Sequence, residues 1–341
     1  MPKPPKRPPT SADVAERAGV SRATVSYVLN GLRDSRISEE TAKQVQAAAE
    51  ALGYTPHALA KSLRAGRSNT VLIPRSNYPL GQVMNQFHED IAAKLIELGY
   101  TPLVHLDANI RDMDAARTWA SLRPVGLLVL ADRVTSRSIR FLHKAGIQGI
   151  VLISNAPSPL ASTLIIDHSD LGACAAEYLL ARGHRHLAGL VPRDPKLAWL
   201  GQERLRGVRR VGAAHGVRVD ELGLAFDEAE AMAIARDIHH ARLTHTPYPT
   251  GIVAFNDAYG ILVMHALQDT GLSVPQDVAV TGIDNLDMDR LVRPSLTSVQ
   301  ANTIQAIEAF VMFLDALIKG ELPDKSVAHL FNPSVHARQS A

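Results

Sequence analysis

"DVAERAGVSRATVSYVLNG" (13–31) joins two short apolar-patterned runs through a glycine and a serine. Gly19 ends the first run, because glycine enters the left-handed backbone region without steric penalty. Ser21 then caps a second helix over about 22–30, closed by Asn30 and Gly31. Thr10, with Asp13 three residues on, reads as a capping box for the first helix. Ser38, followed by Glu39 and Glu40 in the first turn, caps a third that runs to about Leu52. Val14, Ala15, Ala18, Val20, Val25, Val28, Leu29, Val45 and Leu52 predict one small core shared by the three helices. Two helices joined by a tight glycine-containing turn make a helix-turn-helix, whose second helix offers its N-terminal side chains to the DNA major groove. Arg22, Ala23 and Tyr27 lie on that helix and predict base contacts, since arginine can pair bidentately with guanine and alanine can meet a thymine methyl. Ser21, Thr24 and Asn30 are short polar groups suited to phosphate oxygens. The competing reading is a three-helix module with no ligand.

The charge distribution favours a polyanionic partner for this head. The 341-residue chain carries a net charge of +2, yet residues 1–70 hold 11 Lys+Arg against 6 Asp+Glu, and the remainder 25 against 28. A basic head of +5 thus precedes a body of −3. The opening "MPKPPKRPPT" (1–10) is basic and proline-rich with no apolar stretch after it, so residues 1–9 read as a disordered arm and not as a secretory signal. With no run approaching the ~20 apolar residues of a membrane span, a cytoplasmic protein is expected. The lone Cys174 reads as a structural thiol.

Beyond a Gly/Ser/Arg-containing linker at 57–69, strand-like runs alternate with amphipathic helical runs. Residues 70–74, 102–106, 125–131 and 149–154 form one set of strands; 163–167, 186–191, 223–227, 251–255 and 278–284 form a second. Such alternation predicts an α/β body of doubly wound parallel sheets. The proline-bearing "NAPSPLAS" (155–162) divides it into two lobes. The expected domains are a head at 10–56, a hinge helix and linker at 57–69, a core at 70–335 and a tail at 336–341. Within the core, one lobe is expected to hold about 70–157 and 291–322, and the other about 158–290 and 323–335.

The stretch 13–31, together with "ISEETAKQVQAAAEALGYTPHALAKSLRAGRS" (37–68), closely resembles the DNA-binding head and hinge of the lactose-repressor/galactose-repressor family of bacterial transcription regulators. The similarity runs over roughly residues 11–335. It implies a repressor that binds a near-palindromic operator as a homodimer. It also implies that 57–64 form a hinge helix only on the operator, with Leu63 wedged into the minor groove and Ala60 beside it. For the body it implies a core like that of the periplasmic binding proteins, with a sugar or related polar metabolite held between the lobes. "ERLRGV" (203–208) resembles the family's R-x-x-G element and makes Arg204 the main effector ligand. "AFNDAYG" (254–260) and "GIDN" (282–285) place Asn256, Asp257 and Asp284 at strand ends, and Asn77, Tyr78 and Ser154 are expected to line the same cleft. Ser154 stands where many sugar-binding members carry an acid, and Ile283 replaces a usual aromatic.

Other constellations read as structure. "DHSD" (167–170) groups two carboxylates with His168, but Asp170 reads as a helix cap and no further metal ligand is near in sequence. No nucleophile elbow, Walker loop, dinucleotide fingerprint or zinc-protease motif occurs, so neither an enzyme activity nor a cofactor is expected. The alternatives weighed are a solute-binding protein, which has no use for residues 10–67, and a sugar-modifying enzyme, which needs an acid–base pair or a phosphate loop.

Overall fold

The computed structural model describes residues 9–29, 37–54, 68–75, 82–107, 110–301, 304–321, 327–329 and 332–341. Arm residues 1–8, Asn30, the hinge positions Ala60 and Leu63, and Asn77 and Tyr78 lie outside the described residues. The chain divides into two compact units, Met1–Asn69 and Thr70–Ala341.

The first unit contains α1 (Ser11–Ala18), α2 (Arg22–Leu29) and α3 (Glu39–Leu52). Each begins at a side chain that occupies an otherwise unpaired group of the first turn. The Asp13 carboxylate accepts from both the backbone N–H and the hydroxyl of Thr10, each at 2.7 Å. Ser21 Oγ accepts the Thr24 N–H at 3.0 Å, and Ser38 Oγ accepts the Thr41 N–H at 3.1 Å. Gly19 closes α1 with φ +65°, where any side chain would be strained. Val14, Val25 and Val45, one from each helix, are buried together with Ala15, Ala48 and Ala49, while Val20, Val28, Leu29 and Leu52 pack around them.

The second unit is built on two six-stranded sheets. The first runs in the order β11-β5-β4-β3-β1-β2 and is parallel throughout. Its strands are β1 (Thr70–Arg75), β2 (Thr101–Leu106), β3 (Gly126–Leu130), β4 (Gly149–Ser154), β5 (Ser162–Ile165) and β11 (Val327–His329). The second runs β12-β10-β9-β8-β6-β7, parallel except for its last-added strand. It comprises β6 (His186–Pro192), β7 (Arg218–Leu224), β8 (Gly251–Val253), β9 (Ala279–Ile283), β10 (Thr297–Ala301) and β12 (Pro333–His336). Helices α4 (Gln82–Glu97), α5 (Asp112–Ser121), α6 (Ser136–Lys144) and α11 (Ile304–Lys319) belong to the first lobe; α7 (Ser169–Ala181), α8 (Pro195–Ala214), α9 (Glu228–Leu243) and α10 (Asp257–Asp269) belong to the second. The central strands are apolar runs because helices cover both faces of each sheet.

Five expectations are corrected. The strand expected at 163–167 in the second set pairs with β4 in the first sheet, since "NAPSPLAS" loops back onto the sheet it left. Residues 297–301, expected in the first lobe, form a strand of the second sheet, and 327–329, expected in the second lobe, join the first. The chain therefore changes lobe three times, after β5, after β10 and after β11. The strand expected at 223–227 ends at Leu224, after which Ala225 to Asp227 lead into the cap of α9. The segment 336–341 is no tail: His336 pairs with Ser298, and Ser340 is fully buried.

One packing detail sets the position of Arg204. Helices α7 and α8 cross so closely that a Cβ on Gly207 would sit 1.8 Å from the Ser169 carbonyl oxygen, and one on Gly172 would sit 2.0 Å from that of Arg204. Backbone touches backbone at this crossing, so Arg204 is held by a contact that has no side-chain slack.

Candidate nucleic-acid interface and effector cleft

In the first unit the sequence-predicted base-contact residues Arg22, Ala23 and Tyr27 are all exposed. Val25 turns inward, while Ser21, Arg22, Ala23 and Tyr27 are exposed at and beyond the N-terminal end of α2. Ala23 and Tyr27, one turn apart, lie on the side opposite Val25 as a helical period of 3.6 requires, and Arg22, the first residue of α2, is exposed at the N-terminal end. Thr24 is half-buried, its hydroxyl 2.9 Å from that of Ser21. Ser21 thus both caps the helix and stands at its positive end, where the free N–H groups attract anions.

In the second unit, polar side chains gather where strands of both sheets end. Arg204 of α8 is 7% exposed. Its Nη1 donates to the Phe255 carbonyl, and its guanidinium carbon stands 4.8 Å from the centre of the Phe255 ring. Its Nη2 lies 3.7 Å from Asp284 Oδ1, and its Nε has no hydrogen-bond partner among the described residues. Burial pulls the guanidinium pKa down, and the charges of Asp284 and Asp257 pull it back up. Burial pushes Asp284 up to about 7, against the pull of Arg204 and with the push of Asp257. His168, which follows β5, is driven down to about 3 by burial and then by the Arg204 charge, so it is a neutral imidazole at physiological pH. Its ring meets the half-exposed Trp199 indole edge to face at 6.2 Å.

The lobes touch beside this cluster. Asn155, just past β4, donates through Nδ2 to Glu203 Oε2 at 3.2 Å. Arg206 on α8 joins the same carboxylate at 2.6 Å and reaches Asp167 of the other strand end at 3.3 Å. Ser154 is half-buried at the end of β4, its hydroxyl accepting the Ala156 N–H at 3.3 Å.

Two of the predicted effector residues already serve the fold. Asn256 caps α10, its Oδ1 accepting the Tyr259 N–H at 3.1 Å. Asp257 is fully buried, and its two oxygens accept from the Ser298 hydroxyl at 2.5 Å and from the Leu286 N–H at 3.0 Å. Asp289, also fully buried, sits beside it; burial and then the Asp257 charge push its carboxyl up to about 8, so it keeps its proton at neutral pH. Sequence reasoning did not single out Asp289, Phe255, Trp199 or Arg338, and it weighed His168 only as a metal ligand. Phe255 is an apolar residue of the "AFNDAYG" segment, and no motif marks Asp289 or Trp199. Among the described residues no group of three or more His, Cys, Asp or Glu could hold a metal ion, and no helix is long and apolar enough to cross a membrane.

Comparison with known proteins bears on both regions. Residues 10–57 match the family described as bacterial regulatory proteins, lacI family, and residues 176–341 match a periplasmic binding protein-like domain. The HTH-type transcriptional repressor PurR of Vibrio parahaemolyticus serotype O3:K6 is 30% identical over 298 residues, covering 85% of this chain and 86% of that protein. PurR of Aliivibrio fischeri (strain MJ11) is 27% identical over 337 residues, 97% of this chain and 98% of its own. Among solved structures, the lac repressor dimer bound to operator and the anti-inducer ONPF superposes with a TM-score of 0.78 at 22% identity, covering 98% of this chain and 99% of that one. The transcriptional regulator CelR in complex with cellobiose gives 0.63 at 26% identity, covering 98% and 100%.

Proposed function

Because the chain belongs to the lacI family of bacterial regulatory proteins, we propose that this DNA-binding repressor grips a near-palindromic operator as a two-fold dimer and that a small polar effector between its lobes adjusts the grip. The observation that carries the reading is the exposure of Arg22, Ala23 and Tyr27 on α2, with Ser21 at its positive end. Arg22, Ala23 and Tyr27 read base edges; Ser21, Thr24 and Asn30 hold phosphates and set register. Ala60 and Leu63 enter the minor groove at the dyad, unstacking one step to bend the duplex.

One head covers too few base pairs for useful selectivity, so a second copy is required. The second unit carries apolar surface for that copy. The edge strand β2 exposes Leu103, Val104 and Leu106, the last at 75%, and the second lobe exposes Phe226, Met288 and Leu291. Apolar patches of this kind on a folded protein mark association surfaces.

For the effector, the Arg204 fork and the Asp284 carboxylate offer donors and acceptors to a hydroxylated ring, with Trp199 and Ser154 beside them and Asn77 and Tyr78 proposed as further contacts. The Arg204 Nε, which has no hydrogen-bond partner among the described residues, supports an acceptor arriving with the ligand. Asn256 offers its side-chain amide nitrogen as a donor, since its oxygen accepts the Tyr259 N–H in the α10 cap. Asp257 acts through Leu286 and Ser298, not on the effector itself. A sugar or related metabolite suits this set. A coupling of ~1–3 kcal/mol between the two sites is expected.

Selection of bound sites from random duplex DNA, repeated with a panel of sugars and nucleosides, tests the whole reading. Enrichment of an inverted repeat, altered by one compound of the panel, supports it. Binding of all duplexes equally, with or without every compound, overturns it.

A further inference from the structure

The segment after β12 returns to the second sheet and is bolted to it on both sides of Arg338. The Arg338 N–H donates to Thr297 Oγ1 at 2.9 Å. Two residues on, the Ser340 hydroxyl donates to the Val280 carbonyl at 2.6 Å and accepts the Thr297 N–H at 2.9 Å, while its N–H reaches the Ser295 carbonyl at 3.0 Å. The guanidinium so fixed points at the turn that carries Asp284. Nη1 donates to the Leu296 carbonyl at 2.7 Å, and Nη2 donates to Asn285 Oδ1 at 2.5 Å.

That turn is strained. Asp284 and Asn285 both adopt positive φ, at +128° and +57°, although neither is glycine. Such conformations persist only where surrounding bonds over-determine them. Here the Asp284 N–H bonds the Val299 carbonyl at 2.9 Å, the Asn285 N–H bonds Ser298 Oγ at 3.0 Å, and Asn285 Nδ2 bonds Gln300 Oε1 at 3.0 Å. Those three restraints come from one neighbouring strand, β10. Arg338 adds a restraint from another segment, its fork spanning the Leu296 carbonyl and Asn285 Oδ1.

We propose that Arg338 is a positioning residue for the effector cleft: by clamping Asn285 in the left-handed conformation it aims the Asp284 carboxylate at Arg204. The proposal rests on the reading of Arg204 and Asp284 as effector ligands. A role limited to charge neutralisation fits the geometry less well. The nearest carboxylate to Arg338, Asp289, lies 3.6 Å from Nη1, farther than either of the neutral oxygens that the fork engages. The charged groups acting on Asp284 are Arg204 from α8 and Asp257 from α10; Asp289 is acted on by Asp257 and faces Arg338, and His168 is acted on by Arg204 and Asp167.

The test compares the full-length wild type with Arg338→Gln, Arg338→Lys and Asn285→Ala. The Asp284 carboxyl carbon is followed by NMR titration and assigned by its disappearance in Asp284→Asn. In the wild type a midpoint of about 7 is expected. In Arg338→Gln the released turn carries the carboxylate into water, and the midpoint falls by about one pH unit or more as burial is relieved. Arg338→Lys keeps the charge beside Asp289 but cannot hold both Leu296 and Asn285, so it recovers thermal stability and not the midpoint. Asn285→Ala cuts the same link from the other end, shifts the midpoint likewise, and serves in place of Arg338→Gln should that chain fail to fold. A wild-type midpoint in folded Arg338→Gln or in Asn285→Ala overturns the proposal. Cellobiose and guanosine, titrated calorimetrically, separate the two readings. A compound that binds the wild type but binds Arg338→Gln at least about tenfold more weakly supports both. A shifted Asp284 midpoint in a protein whose DNA binding no small molecule alters sinks the effector reading and leaves the positioning role standing.

Discussion

Replacing Gly207 by alanine tests how Arg204 is placed. Two effects of opposite sign compete. Alanine is the better helix former by ~1 kcal/mol, which alone would stabilise α8. Against that, the new methyl carbon would sit 1.8 Å from the Ser169 carbonyl oxygen, 2.7 Å from its carbon and 2.8 Å from the Ala173 nitrogen. Ordinary contact begins at 3.4 Å, so the shortfall is 3.4 − 1.8 = 1.6 Å. All three obstacles are backbone atoms, which cannot rotate away, so the helices must part by more than an ångström. Overpacking of this kind costs ~1–3 kcal/mol. Parting also loosens Leu171, Ala175, Leu205 and Val208, all buried in the core that the two helices share, which puts the case at the upper end of that range. The net destabilisation is then ~2 kcal/mol, a fall in Tm of roughly 4–8 °C for a unit of this size. Thermal unfolding of the full chain reads it, with Gly260→Ala as control. Gly260 meets only side-chain atoms of Leu296 and Ala254, at 3.2 to 3.5 Å, so its propensity gain roughly cancels a small repacking. Because Arg204 rides on the same crossing, effector affinity should fall with Gly207→Ala and hold with Gly260→Ala. A Gly207→Ala protein that melts at or above the wild-type temperature would refute the backbone-limited crossing.

Further outcomes are expected. Ser21→Ala deletes the α2 cap at a cost of ~1 kcal/mol, so the amides of the first turn of α2 should exchange with solvent about fivefold faster; unchanged exchange would deny the cap a role. Arg22→Ala should weaken selection at one symmetric pair of operator positions by ~1–3 kcal/mol, whereas a uniform loss over all sequences would mean that Arg22 holds phosphate. The buried acids fix the pH dependence. Asp284 and Asp289 are raised to about 7 and about 8 in the folded chain, so the stability they contribute is complete at low pH and is lost as pH rises through those values. His168 is depressed to about 3, so its opposing loss begins only as pH falls below its unfolded value of 6.5. The urea midpoint should therefore decline between pH 6.5 and 8, and Asp289→Asn should flatten that decline; an equally steep slope in the variant would show that Asp289 is ionised throughout.

What could be read without coordinates was whatever acts over a few residues. Thr10 with Asp13, Gly19, Ser21 and Ser38 announce their helix ends because a cap bonds backbone only two or three residues away. The inward stripe of Val14, Val25 and Val45 is equally plain, since helical periodicity is a property of the local chain. The alternation of strands and helices was legible for the same reason, and with it the two-sheet body. What only the tertiary structure decided is which sheet a strand enters and what a polar side chain finds there. β5 reads as apolar in either lobe, and its pairing with β4 depends on partners that local pattern does not encode. Asp257 resembles a ligand until Ser298 and Leu286 are seen to take up its oxygens. Arg338 stands 53 residues from Asn285, and the bond between them exists because β12 folds antiparallel onto β10. Caps and periods are short-range physics; sheet order and buried polar networks are satisfied only when distant segments meet, and a one-dimensional reading holds no distances between them.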